Sequence, residues 1–165
     1  MVDPSVPIEH VAGLADELAA NPVLGDLAPA HLELIAGCCI NVAFAAGERI
    51  LAAGDPADHF WIIRHGRVDV EVYGAARGAI TIDRLGPGEL LGVSWIAEPY
   101  VYEFDATAIE RGSAIRVDAA CLRGKCDDNP ELGHALYRRF ATILRLRLQA
   151  TRLQLLDLYG PAHAD

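Results

Sequence analysis

A chain of 165 residues and 17.7 kDa is one domain's worth of sequence. A domain of that size buries about 70% of its unfolded surface and folds without a disulfide or metal staple. With 52% hydrophobic residues and no 18-residue apolar stretch, disorder of the bulk and a membrane-spanning helix are excluded. A net charge of −9, from 14 basic and 23 acidic residues, repels phosphate backbones and argues against nucleic acid as the main partner.

The opening Met1-Val2-Asp3-Pro4 has no basic segment leading into an apolar run. No secretory signal is expected, and the cytoplasm is the default location. Residues 8 to 19 then carry Ile8, Val11, Ala12, Leu14, Ala15 and Leu18 at helical spacing, with Asn21-Pro22 as the break. A second short helix is predicted from Pro29, through Leu32, Leu34, Ile35 and Ala36, ending at Gly37.

From Ile40 to Val117 the texture changes to short β-branched or aromatic runs separated by Gly, Pro or Asp. Predicted strands are 40–45, 49–52, 59–64, 68–73, 79–85, 103–110 and 114–117. Turn signals recur at Gly47, Gly54-Asp55-Pro56, His65-Gly66, Gly74 to Gly78, Gly86-Pro87-Gly88 and Gly112. Short strands at near-regular spacing predict a barrel or sandwich.

Helix returns at 119–125, with Asp118 as N-cap. A longer helix begins at Asn129-Pro130-Glu131 and meets no breaker before Gly160-Pro161. Residues 130–158 therefore form one helix of roughly 43 Å. One apolar stripe runs through Leu132, Leu136, Phe140, Ile143, Leu146, Ala150 and Leu153. A second runs through Ala141, Leu144, Leu148, Thr151, Leu155 and Leu158. One helix on a small barrel buries one stripe, so the second predicts pairing with the same helix of another chain. Arg138, Arg139, Arg145, Arg147 and Arg152 fall between the stripes and read as a solvated face, with an acidic partner as the lesser alternative.

The cysteines at 38, 39, 121 and 126 form no C-x-x-C pair. They read as reduced, partly buried side chains. Arg123 and Lys125 stand between Cys121 and Cys126, a setting that lowers a thiol pKa and keeps a redox role open.

The middle of the chain resembles the cyclic nucleotide-binding domain of the catabolite activator and anaerobic regulator family. The resemblance is carried by Phe44-Ala-Ala-Gly47-Glu48-Arg-Ile50, by Gly54-Asp55-Pro-Ala-Asp58-His-Phe60-Trp61-Ile62-Ile63, by Gly66-Arg-Val68-Asp-Val70, and by Leu85-Gly86-Pro87-Gly88-Glu89-Leu90-Leu91-Gly92. Gly47, Gly54, Gly66 and Gly88 stand where tight turns need positive φ. The implied fold is mainly β with flanking α, a double-stranded β-helix or jelly-roll-like domain. The expected organisation is an N-terminal helical segment at 1–39, a β-roll at 40–118, C-terminal helices at 119–160 and a tail at 161–165.

The family's short cassette helix holds a cyclic phosphate on its N-terminal amides, with a carboxylate for the ribose hydroxyl and an arginine for the phosphate. The resemblance places the ligand pocket at Gly88, Glu89, Leu90, Leu91, Gly92, Val93, Ser94, Trp95, Tyr102 and Phe104. Two departures stand out. The ribose glutamate position holds Val93, and no Lys or Arg occurs from Leu85 to Glu110. Losing a buried charge-assisted phosphate contact costs roughly 2 to 5 kcal/mol, about 30- to several-thousand-fold in affinity. cAMP or cGMP is therefore disfavoured, and no cofactor is expected. The readings are a pocket refilled by Val93, Trp95, Tyr100, Tyr102 and Phe104, a pocket retuned to another ligand, and residual nucleotide binding through backbone amides.

Relatives that regulate transcription continue into a helix-turn-helix domain, whereas six residues, Gly160 to Asp165, follow the long helix here. The expected function is a stand-alone regulatory module, dimeric through Leu144, Leu148, Thr151, Leu155 and Leu158, acting on an unidentified protein partner. A genuine cAMP or cGMP receptor and a cysteine- or cluster-based redox sensor are the alternatives. The histidines at 10, 31, 59, 65, 134 and 163 are scattered. No nucleophile–base pair or metal motif occurs, so catalysis is not expected.

Overall fold

The computed structural model describes the backbone of residues 8–159 and the side chains of residues 13–157. The expectations for the opening residues, for Ile8, Val11 and Ala12, for the Leu158 side chain and for the tail lie outside those residues.

Two helices, α1 (Ile8–Ala19) and α2 (Pro29–Ala36), open the fold. The strands follow as β1 (Cys39–Phe44), β2 (Arg49–Leu51), β3 (His59–His65), β4 (Val68–Gly74), β5 (Gly78–Leu85) and β6 (Leu90–Leu91). A 3-10 turn at Val93–Ile96 precedes β7 (Asp105–Ala108) and β8 (Gly112–Asp118). The chain closes with α3 (Ala119–Asp128) and α4 (Pro130–Tyr159).

The strands form two four-stranded antiparallel sheets, ordered β1-β8-β3-β6 and β2-β7-β4-β5. The strand spacing predicted a barrel or sandwich, and this is the jelly-roll-like form of it that the family resemblance implied. The anticipated glycines carry the left-handed turns, with φ of 84° at Gly47, 91° at Gly54, 85° at Gly66 and 88° at Gly88. At Gly66 a Cβ would also stand 2.9 Å from the Arg111 carbonyl oxygen, so both conformation and space demand glycine.

The strand β3 explains how the layers stack. Its residues Phe60, Trp61, Ile62 and Ile63 are all buried. At β3 both faces of the sheet are covered, so the usual alternation of apolar and polar residues disappears there. Phe60 and Ile62 face the helices, in a core with Leu14, Leu18, Leu122, Leu132, Leu136 and Phe140. Trp61 and Ile63 face the roll interior, with Phe44, Val68, Leu91, Tyr102 and Ala106.

The caps agree with the sequence. Asp118 accepts from the Cys121 amide at 2.8 Å, and Asn129 accepts from the Leu132 amide at 3.1 Å. The cysteines do not. Cys38 and Cys121 form a disulfide across 83 residues of sequence, with Cα atoms 5.8 Å apart. The cause is the β1–β8 pairing. It sets Cys39 opposite Val117, and the Asp118 amide donates to the Cys38 carbonyl at 2.8 Å. The first turn of α3 then delivers Cys121 to Cys38. Cys39 and Cys126 are free and buried. Burial pushes the Cys39 thiol up to about 12 and raises Cys126 also, the reverse of the activation expected near Lys125.

The expectation of a solvated arginine face holds for three of five residues. Arg138, Arg145 and Arg152 are exposed. Arg139 instead donates to Asp26 at 3.0 Å, and Arg147 reaches the Leu90 carbonyl.

Candidate functional site

The cassette begins at Gly88, whose carbonyl accepts from Asn21 Nδ2 at 3.1 Å. Asn21 is buried, and its Oδ1 takes the amides of Val23 and Leu24, so the break after α1 is built to reach the cassette. Glu89 is exposed and turns back on its own loop, accepting from the Gly86 amide at 2.7 Å. Leu90 and Leu91 occupy adjacent positions in β6, and so they split between the helix-facing core and the roll interior. Gly92 has φ 86°, and a Cβ there would meet His59 O, Leu51 and Trp61, each at 3.4 Å. Glycine lets the chain turn tightly past Trp61.

The 3-10 turn that follows faces the helices with its apolar side. Val93 packs on the helix-facing core, and Ser94 is half-buried. Trp95 is fully buried there, stacked 5.0 Å from Phe60 and edge-on to Phe140 at 5.1 Å. Its indole Nε1 has no acceptor among the described residues. Tyr102 lies on the other side, in the roll interior, 6.2 Å from Trp61. Its hydroxyl donates to the His59 carbonyl at 2.6 Å and accepts from the His59 amide at 3.2 Å. Burial pushes that hydroxyl up to about 12. Glu103 and Phe104 sit on the surface.

The sequence-derived pocket is thus divided. Leu91, Gly92 and Tyr102 border the roll interior. Leu90, Val93 and Trp95 join the helix-facing core, and Glu89 and Phe104 stay at the rim. The large aromatic beside Tyr102 is Trp61, which the pocket prediction did not contain. Its signal was present in the sequence: Trp61 has the opposite strand parity from Phe60 and Ile62.

Two cations touch this segment, and both come from the helices after the roll. Arg123 of α3 donates to the Trp95 carbonyl at 3.0 Å, and its guanidinium lies 4.2 Å from the Tyr100 ring centroid. Arg147 of α4 donates to the Leu90 carbonyl. Burial lowers the Arg147 pKa, and Asp83 and Glu89 nearby oppose that shift. Both guanidiniums bind backbone oxygens of the cassette. They tie it to α3 and α4 rather than stand open to an anion.

A double-sheet roll flanked by two N-terminal helices, a cassette turn and a long C-terminal helix is the architecture of the cyclic nucleotide-binding domain fold. Residues 41–129 match the cyclic nucleotide-binding domain family, and the chain belongs to it. Over 119 residues it is 31% identical to the CRP-like cAMP-activated global transcriptional regulator of Mycobacterium tuberculosis strain H37Rv, covering 71% of this chain and 50% of that protein. The chain spans about half the length of the curated relatives it first matches. Among solved structures, a cyclic nucleotide-binding protein of Geobacter metallireducens GS-15 superposes with a TM-score of 0.73 at 25% identity, over 81% of this chain and 97% of that one. A cyclic nucleotide-binding domain from Methylobacillus flagellatus KT gives 0.76 at 17% identity, over 95% and 88%. No helix of the described residues is long and apolar enough to cross a membrane.

Proposed function

We propose that this domain is a non-catalytic regulatory module whose roll is closed to cyclic nucleotides and whose output is the long helix α4. The Trp61–Tyr102 pair carries the reading. The two rings fill the roll interior beside the cassette, and the Tyr102 hydroxyl is held by both backbone groups of His59. A nucleotide entering there would have to displace both rings and break both hydrogen bonds. No compensating Lys or Arg is available from Leu85 to Glu110. Arg123 and Arg147 then convert any movement of the cassette into movement of α3 and α4.

The homodimer belongs to the same reading. Leu144, Leu148 and Leu155 are 39%, 51% and 48% exposed along one heptad line. The Thr151 hydroxyl between them is spent on the Arg147 carbonyl, leaving its methyl for the seam. A parallel coil of two α4 helices buries that line.

The test is calorimetric titration of the full chain with cAMP and cGMP. No heat up to millimolar nucleotide is expected. Sub-micromolar binding would establish the second reading, an ordinary nucleotide receptor, which likeness to the cAMP-activated M. tuberculosis regulator supports.

A further inference from the structure

The α4 helix carries a second apolar line that the proposed dimer does not use. Leu146, Leu153 and Leu156 are 52%, 56% and 66% exposed. At 100° per residue, Leu146 and Leu153 lie on the side of α4 opposite the Leu144–Leu148–Leu155 seam. A two-stranded coil through that seam leaves them in water. Scattered exposed leucines are ordinary, but a contiguous line of them on one helix face marks a contact surface.

The charge beside this line is one-sided. Arg138, Arg145 and Arg152 recur every seven residues and are all exposed. None makes an ion pair among the described residues, whereas Arg64, Arg67, Arg84 and Arg139 all do. Within α4 the only acids are Glu131 and Asp157, near its two ends, in a chain of net charge −9. The helix is therefore a basic, leucine-lined element on an acidic protein.

A second copy fits this face poorly. An antiparallel α4 would set these arginines against one another, and a parallel one would offer Arg145 only Ala150 and the whole row a single acid, Asp157. The acidic amphipathic α1 is already seated, with Leu14 and Leu18 in the core. We infer that the outer face of α4 docks an acidic amphipathic helix of another protein. That helix inserts apolar anchors at i, i+3 or i+4, and i+7 between Leu146, Leu153 and Leu156 and sets carboxylates against Arg145 and Arg152. A lipid surface is the weaker fit, because the line carries leucines but no interfacial aromatic or lysine. The inference rests on the reading of α4 as the output element and names the chemistry of what it meets.

The probe is a fluorescent peptide of about three heptads with Leu at the seam positions and Glu beside them, against a twin with Lys for Glu. The readout is anisotropy with the full chain, alongside phosphatidylglycerol vesicles. The Glu peptide is expected to bind at least about tenfold tighter than the Lys peptide, with the preference shrinking in high salt. R145E/R152E should reverse the preference, and L153S/L156S should abolish binding while light scattering shows an unchanged oligomer. No binding at roughly 100 µM chain, or a preference that R145E/R152E leaves unreversed, overturns the inference. So does capture by vesicles instead of peptide. Binding lost in L148E/L155E but kept in L153S/L156S also overturns it, since the peptide would then occupy the seam. A monomeric wild type that still binds the Glu peptide through Leu153 and Leu156 would sink the dimer and leave this inference standing.

Discussion

The two halves of α4 both carry leucines, and those leucines have opposite fates. Up to Phe140 the stripe Leu132, Leu136 and Phe140 is buried, and Phe140 stands edge-on to both Phe60 and Trp95. From Leu148 to Asp157 every residue is exposed, leucines included. The dividing point is Arg147, which fastens the helix to the cassette at Leu90. Periodicity dictates that a face needs covering, but whether the cover lies in the same chain depends on where the roll ends. Here the roll ends about three turns before the helix does.

The largest break in that comparison comes from paired truncations. Phe140→Ala should cost about 3 to 5 kcal/mol in denaturant unfolding, because the ring leaves a cavity between Phe60 and Trp95. Leu156→Ala in the free half should change stability by less than about 0.5 kcal/mol. Equal effects would mean that the free half is covered within the chain.

The disulfide comes next, since it anchors α3 and so the start of the seated half. C38S/C121S should lower stability by about 2 to 4 kcal/mol, as expected for opening a loop of 83 residues. The oligomeric state should not change, because the free half does not touch that bridge. In the native protein no thiol should react quickly with a thiol reagent at pH 8, Cys39 being buried with its thiol pushed up to about 12.

Tyr102→Phe removes one hydroxyl and leaves the His59 carbonyl without its donor, for about 1 to 2 kcal/mol. A gain in nucleotide affinity in that variant would show that the hydroxyl bars the roll. The smallest effect is a pH slope. Burial, reinforced by the Arg116 charge, lowers the His59 pKa below its usual 6.5. The unfolded chain then binds the proton first, so stability is full above pH 6.5 and declines as pH falls toward the folded value. In H59Q that decline should flatten, as denaturant unfolding across pH 5 to 7.5 would show.

Much of this fold was legible because its punctuation is local. Gly47, Gly54, Gly66 and Gly88 mark turns that only positive φ allows, and Asp118 and Asn129 announce helices with their own side chains. The two-residue β6 left no periodicity to read. The cassette was legible as an address but not as a geometry. Trp95 and Trp61 both lie near it, and only the layering of the sheets decides that one faces the helices and the other the interior. The Cys38–Cys121 bridge and the Arg147–Leu90 contact depend on register between distant segments, which composition and spacing do not encode.

We propose that a second copy covers the exposed half of α4 along Leu144, Leu148 and Leu155. Multi-angle light scattering of the wild-type chain at micromolar concentration tests it most directly, with L148E/L155E beside it. A wild-type dimer and a folded, monomeric variant are expected. A monomeric wild type, or a variant that stays dimeric, would contradict it.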